Sequence, residues 1–270
     1  MASVFATLAM ILLGSRLAST GSDAAALEAV ILFYSVITLL TAAVIWFALP
    51  HHQPRDTANS TGGRSSWRDV LSSPSVWLQA GVVICAYCGY KSLDNYGVYA
   101  VQVLGMSPLE AAALNTYASY ARPVAAIAAG LWADRWLSSR VVAVSFFCGA
   151  AAFFWLSRDA APAMAQGVLL ANILVTFFAV YALRGIYFSL IEEAGLNRRI
   201  TGSAVGLISV LGFTPDVFFA AVTGRILDAN PGAIGFQHYF LLIALICIAG
   251  MMFTLLLSRR LARHKQPANS

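Results

Sequence analysis

Long apolar runs, separated by short segments rich in charge, proline and glycine, most constrain what this chain of 270 residues can fold into. A membrane-spanning helix needs about 20 consecutive apolar residues. The chain is 59% apolar and only 11% charged, whereas a soluble domain is usually about a quarter charged. The pattern therefore predicts an all-α polytopic membrane bundle. Eight spans are predicted, at residues 4–17, 27–49, 76–98, 108–132, 141–157, 163–191, 203–227 and 239–257.

The first run is short, and a secretory signal peptide is the alternative interpretation of it. No cationic side chain precedes the run, although a signal peptide begins with a positively charged segment. We therefore expect a transmembrane helix at 4–17, because this run must cross the membrane for the charges of the following loops to alternate.

The positions of Lys and Arg predict the topology, because these residues are retained on the cytoplasmic side during insertion. Most of the 17 cations lie in alternate inter-span segments and in the tail. We expect these segments and both termini to be cytoplasmic, in a multi-pass protein of the inner (plasma) membrane. The net charge of +5 then reflects topology, and we expect no nucleic-acid partner. The predicted organisation is two helices at 1–49, a cytoplasmic linker at 50–75, a six-helix unit at 76–257 and a basic tail at 258–270.

The loop after the fourth predicted span reads Gly-Leu-Trp-Ala-Asp-Arg-Trp-Leu-Ser-Ser-Arg over 130–140. It resembles the G-x-x-x-D-R-x-G-R-R/K signature of the major facilitator superfamily of secondary transporters, which follows helix 2 and recurs in weaker form after helix 8. Leu137 stands at the turn glycine, and Ser138 and Ser139 stand at the basic pair. The resemblance implies that the chain corresponds to helices 5 to 12, so we expect a polypeptide that lacks the first four helices.

The resemblance also implies a cytoplasmic gate, in which the loop aspartate meets an arginine when the cytoplasmic side closes. Here the pair would be Asp134 with Arg184 or Arg135. The candidate gate residues are Gly130, Asp134, Arg135, Arg140 and Arg184.

Arg122 is the most informative charge inside a predicted span. A charged side chain at membrane depth costs at least about 2.5 kcal/mol, so it persists mainly where it faces a cavity or a partner. Arg122 lies near the middle of 108–132, and a guanidinium matches two oxygens of a carboxylate, phosphate or sulfonate. We expect it to contact an anionic substrate. An interhelical ion pair is the alternative.

Five further residues complete the candidate substrate and ion path. Lys91 and Asp94 are three apart and can pair, and Tyr87 shares a helix face with Lys91. Lys91 is expected about 22 Å along its span, in the outer third of the membrane. Asp216 is a candidate for ion coupling, with the restart of a broken helix as the alternative. Tyr117 could donate a hydrogen bond to the substrate or serve only in packing.

Phosphate-binding loops, hydrolase motifs and metal-binding motifs are absent from the sequence, so we expect neither a cofactor nor an enzyme. The predicted function is secondary transport of a small organic solute by alternating access, with an anion favoured and with proton or ion coupling. The expected partners are the solute, a coupling ion, the lipid bilayer and the missing helices of the same transporter. Two alternatives stay open: a non-transporting assembly or sensor subunit, and a membrane-embedded transferase.

Overall fold

The computed structural model describes Ile11 and residues 23–48, 67–158, 166–193 and 198–265. All regular structure in these ranges is helical, which confirms the predicted all-α class. The chain divides into two compact units, Met1–Arg64 and Ser65–Ser270. Apart from Ile11, the predicted span at 4–17 lies outside the described residues, as does most of the predicted linker.

The first unit contains helix α1, Asp23–Ala48, at the position of the second predicted span. Its segment Glu28–Phe47 is long and apolar enough to cross a membrane. The hydroxyl groups of Ser35, Thr38 and Thr41 each donate a hydrogen bond of 2.8 Å to the carbonyl four residues earlier. These polar groups are therefore satisfied within the helix, as a lipid-exposed helix requires.

The second unit contains the remaining described helices, several of which come in pairs separated by a short break. A 3₁₀ turn, Leu93–Asn95, follows the helix that ends at Ser92. The helices are α2 (Trp67–Leu71), α3 (Pro74–Ser92), α4 (Tyr96–Gln102), α5 (Pro108–Ser119), α6 (Ala121–Arg135), α7 (Ser138–Arg158), α8 (Gln166–Ile186), α9 (Ser189–Glu193), α10 (Arg198–Gly212), α11 (Pro215–Ala229) and α12 (Ala233–Lys265).

Five helical segments in the described ranges are long and apolar enough to span a membrane. They are Glu28–Phe47, Ser138–Arg158, Gly167–Ile186, Ile200–Ala229 and Ala233–Arg263.

The predicted spans at 76–98 and 108–132 are helical but interrupted, and neither is among these five segments. The first contains the 3₁₀ turn, and the second breaks at Tyr120. Pro123 accounts for the second break, because proline lacks the N–H that would bond to the carbonyl of Ser119 and its ring crowds that carbonyl.

Close packing of α3, α7 and α12 forms the core of the second unit. Gly250 lies where a side chain would overlap the ring of Phe146 and would come within 2.9 Å of the Cβ of Cys85. An aromatic cluster continues the contact between α12 and the segment after α3, with the ring centroids of Tyr96 and Phe240 5.7 Å apart. These contacts fix α3 and α12 in an antiparallel arrangement.

This arrangement sets the depth of the last turn of α3 in the membrane. Cys85 lies beside Gly250, and Tyr96 lies beside Phe240. Because both helices rise equally per residue, Lys91 is level with about residue 245, near the middle of the spanning segment Ala233–Arg263. Lys91 therefore lies at a level within this spanning segment and not beyond its end.

Candidate functional site

Charged and tyrosine side chains from four helical segments meet at this depth, and we call them the polar cluster. The segment formed by α3 and the 3₁₀ turn supplies half of them, and α6, α8 and α11 supply the rest. The polar cluster consists of Tyr87, Tyr90, Lys91, Asp94, Arg122, Tyr181, Arg184 and Asp216.

Lys91 is shared between two carboxylates. Its Nζ lies 2.8 Å from Oδ2 of Asp94 and 3.6 Å from Oδ1 of Asp216. Asp216 also accepts a hydrogen bond of 2.8 Å from the hydroxyl of Tyr87. Asp216 lies in the first turn of α11, where the helix dipole favours a negative charge. Asp216 thus opens a restarted helix and also joins an ion-pair network.

The two arginines are held by tyrosines. Nη2 of Arg122 donates a 3.2 Å hydrogen bond to the hydroxyl of Tyr90, and its guanidinium carbon lies 4.9 Å from the ring centroid of Tyr181. The guanidinium carbon of Arg184 lies 3.9 Å from the ring centroid of Tyr90 and 5.5 Å from that of Tyr87. Cation–π contacts of this kind orient a guanidinium without neutralising it.

The polar cluster carries an excess of positive charge, with three cations and two carboxylates. Within the described ranges, neither Arg122 nor Arg184 has a carboxylate at ion-pair distance. Nε of Arg122 is buried and has no hydrogen-bond partner in the part of the chain that the structure describes. The arginines therefore retain donors for an anion.

One face of the polar cluster is open. The side chains of Asp94 and Asp216 are 62% and 52% exposed, and that of Lys91 is 27% exposed. Ionic groups at mid-membrane depth are too costly to face hydrocarbon. This face of the second unit therefore requires water or a polar protein surface against it.

Tyr117 and the predicted gate residues lie elsewhere, with the exception of Arg184. Tyr117 is 73% exposed and takes part in none of the contacts that define the polar cluster. Asp134 and Arg135 are exposed at the end of α6, and Arg140 is exposed in the first turn of α7. A side chain at Gly130 would meet nothing within 4 Å.

Arg184 and Asp134 do not pair with each other among the ion pairs of the described residues. The loop is tied instead by Glu193, whose carboxylate accepts 2.8 Å hydrogen bonds from both the backbone N–H and the hydroxyl of Ser139. This contact joins the end of α9 to the start of α7. In the sequence, only the position of an acidic residue next to basic loops points to this contact.

Tyr90 and Tyr181 are candidate functional residues that were not singled out from the sequence. Tyr90 shares a helix face with Asp94, which is a weak signal. Tyr181 lies in a continuous apolar span, where a tyrosine has no distinguishing spacing. In the ranges that the structure covers, no group of three or more His, Cys, Asp or Glu side chains could hold a metal ion.

Comparisons with known proteins found inner membrane proteins of Escherichia coli among the relatives of this chain. No family model matches the chain. It is 27% identical over 260 residues to the inner membrane protein YihN of Escherichia coli K12, covering 91% of this chain and 60% of YihN. It is 26% identical over 250 residues to the inner membrane protein YqcE of the same organism, covering 88% of this chain and 58% of YqcE. The chain thus spans about three-fifths of the length of these curated relatives.

A solved structure matches nearly the whole chain. It is a bacterial homologue of the human lysosomal transporter Spinster, in an inward-facing and unoccupied conformation. The match has a TM-score of 0.58 at 15% identity and covers 98% of this chain and 67% of that chain. At this identity the likeness concerns the fold. The chain is therefore a multi-pass membrane protein with a fold of the major facilitator type.

Proposed function

We propose that this protein takes part in secondary transport of a small organic anion, driven by the co-transport of protons or another cation. The observation that carries the proposal is the excess positive charge of the polar cluster, which lies level with the spanning segment Ala233–Arg263. A site with this charge favours an anion over a neutral or cationic solute, because the anion neutralises a cation that is otherwise unpaired.

Arg122 and Arg184 are the proposed binding groups for the anion. A guanidinium can donate two parallel hydrogen bonds to a carboxylate, phosphate or sulfonate. The rings of Tyr90 and Tyr181 already hold the Arg122 guanidinium. Holding the side chain in advance lowers the entropy lost on binding, so the anion meets a preorganised site.

Asp216 is the proposed coupling group. When it is ionised, Lys91 and Tyr87 both bind it. A proton or cation bound there would release Lys91 from one partner and would raise the net charge of the polar cluster by one. Binding of the cation then favours binding of the anion. Binding of the anion favours binding of the cation by the same factor, because thermodynamic coupling is reciprocal. This linkage predicts co-transport in the same direction.

Uptake by protein reconstituted in liposomes tests the proposal. A panel of labelled carboxylates, phosphates and sulfonates would be offered with an inward proton gradient. Arg122→Gln should abolish uptake of the transported anion while insertion and folding stay normal. Arg225→Gln removes an exposed cation from α11 outside the polar cluster, and it should transport normally. Unimpaired uptake by Arg122→Gln would refute the role of Arg122.

A further inference from the structure

We propose that a groove between the start of α7 and the end of α12 binds an acidic phospholipid. The groove has a volume of ≈ 580 Å³ and is lined by Arg140 and Trp136 on one side and by Arg259 and Ser258 on the other. The two arginines lie at the same end of the unit, because α7 begins where the antiparallel helix α12 ends. The packing of Phe146 against Gly250 requires this arrangement.

The arginines of the groove are available to a phosphate. Arg140 and Arg259 are exposed, and neither has a carboxylate at ion-pair distance among the described residues. The carboxylate of Glu193 is near, but both of its oxygens accept hydrogen bonds from Ser139. Arg260 and Arg263 line adjoining openings on α12 and add to the positive potential. Basic pockets between membrane helices on the cytoplasmic side, where this groove is predicted to lie, suit anionic headgroups.

Two further apolar grooves follow along α7, and we call them together the apolar channel. Val144 also lines a second groove of ≈ 480 Å³ between α7 and α8. Cys148 and Val175 are shared between that groove and a third of ≈ 370 Å³, which reaches Trp155. From Arg140 to Trp155 the helix rises about 22 Å, which exceeds the ~15 Å of hydrocarbon in one leaflet.

This order of features distinguishes a phospholipid from a free anion. A free phosphate would use only the arginines and would leave the apolar channel empty. A phospholipid places its phosphate between Arg140 and Arg259 and lays an acyl chain along α7. Trp136, which is 61% exposed at the charged end, lies where aromatic side chains contact the headgroup region.

Lipid retention by the purified chain tests the proposal. The protein in mild detergent would be titrated with phosphatidylglycerol and, separately, with zwitterionic phosphatidylcholine, and bound lipid would be counted by native mass spectrometry. Phosphatidylglycerol should bind preferentially. The double variant Arg140→Gln with Arg259→Gln should bind it about thirtyfold more weakly, since each arginine contributes independently. The control double variant, Arg158→Gln with Arg225→Gln, removes the same charge outside the groove and should bind as the unaltered protein does.

Three results would overturn the proposal. They are equal retention of phosphatidylcholine, unchanged binding by the groove variant, and displacement of phosphatidylglycerol by an equal concentration of glycerol phosphate. The last result would show an anion site without a lipid requirement. The variant Arg140→Lys with Arg259→Lys keeps the charge, and it should retain most of the lipid. Loss of lipid by a folded lysine variant equal to that of the glutamine variant would also count against a phosphate site.

Discussion

Gly250 allows α12 to approach α3 and α7, and this approach sets the depth of the polar cluster. A Cβ at this position would overlap the ring of Phe146 and would lie 2.9 Å from the Cβ of Cys85. Overpacking a core costs about 1–3 kcal/mol, whereas replacing glycine by alanine inside a helix stabilises by up to about 1 kcal/mol. In Gly250→Ala the two effects oppose each other.

Gly224→Ala is the matched control, because a Cβ at Gly224 in α11 would meet nothing within 4 Å. Only the gain in helix propensity applies there. We therefore expect Gly250→Ala to be less stable than Gly224→Ala by about 1–3 kcal/mol. Equilibrium unfolding of both variants in the same detergent measures the difference. If the two variants differ by less than about 0.5 kcal/mol, the close approach of α12 and the depth of the polar cluster inferred from it are wrong.

Two further predictions concern carboxylates. Asp216→Asn should abolish gradient-driven accumulation of the anion but preserve exchange of the anion across the membrane. The control Asp228→Asn, in the same helix, should change neither accumulation nor exchange. Normal accumulation by Asp216→Asn would exclude Asp216 as the coupling group. Glu193→Gln should lower the free energy of unfolding by about 1 kcal/mol, because it weakens charge-assisted hydrogen bonds from Ser139. The exposed Glu192 offers the control, and an equal effect of Glu192→Gln in the same unfolding experiment would contradict the role of Glu193 as a helix cap.

The spanning helices could be predicted because an apolar run long enough to cross a membrane is a local property of the sequence. Five predicted spans correspond to the five segments that the structure shows to be long and apolar enough. The breaks within the predicted spans at 76–98 and 108–132 were harder to predict. Pro123 predicts a bend in its helix, but the sequence does not fix the break at Tyr120. The 3₁₀ turn, Leu93–Asn95, contains neither glycine nor proline.

The candidate site could be predicted only where its contacts are local. The spacing of Lys91 and Asp94 allows their ion pair, which the structure has at 2.8 Å. The contact of Lys91 with Asp216 depends on how α3 packs against α11, and no sequence spacing encodes that packing.

Arg184 shows why position along a span is a poor guide to the place of a charge. It lies in the last turn of α8, which suggested a role at the cytoplasmic gate. Helical side chains lean toward the helix N-terminus, so this long side chain extends back toward the membrane centre. There it lies over the ring of Tyr90.

Binding of an anion by the polar cluster is the central claim, and ligand-dependent thermal stability tests it most directly. The unfolding of the purified protein would be followed with small organic anions, cations and neutral solutes at constant ionic strength. A ligand at ten times its Kd stabilises the folded state by about 1.4 kcal/mol. We expect stabilisation by anions only, lost in Arg122→Gln and kept in Arg225→Gln. Stabilisation by neutral or cationic solutes that persists in Arg122→Gln would contradict the claim.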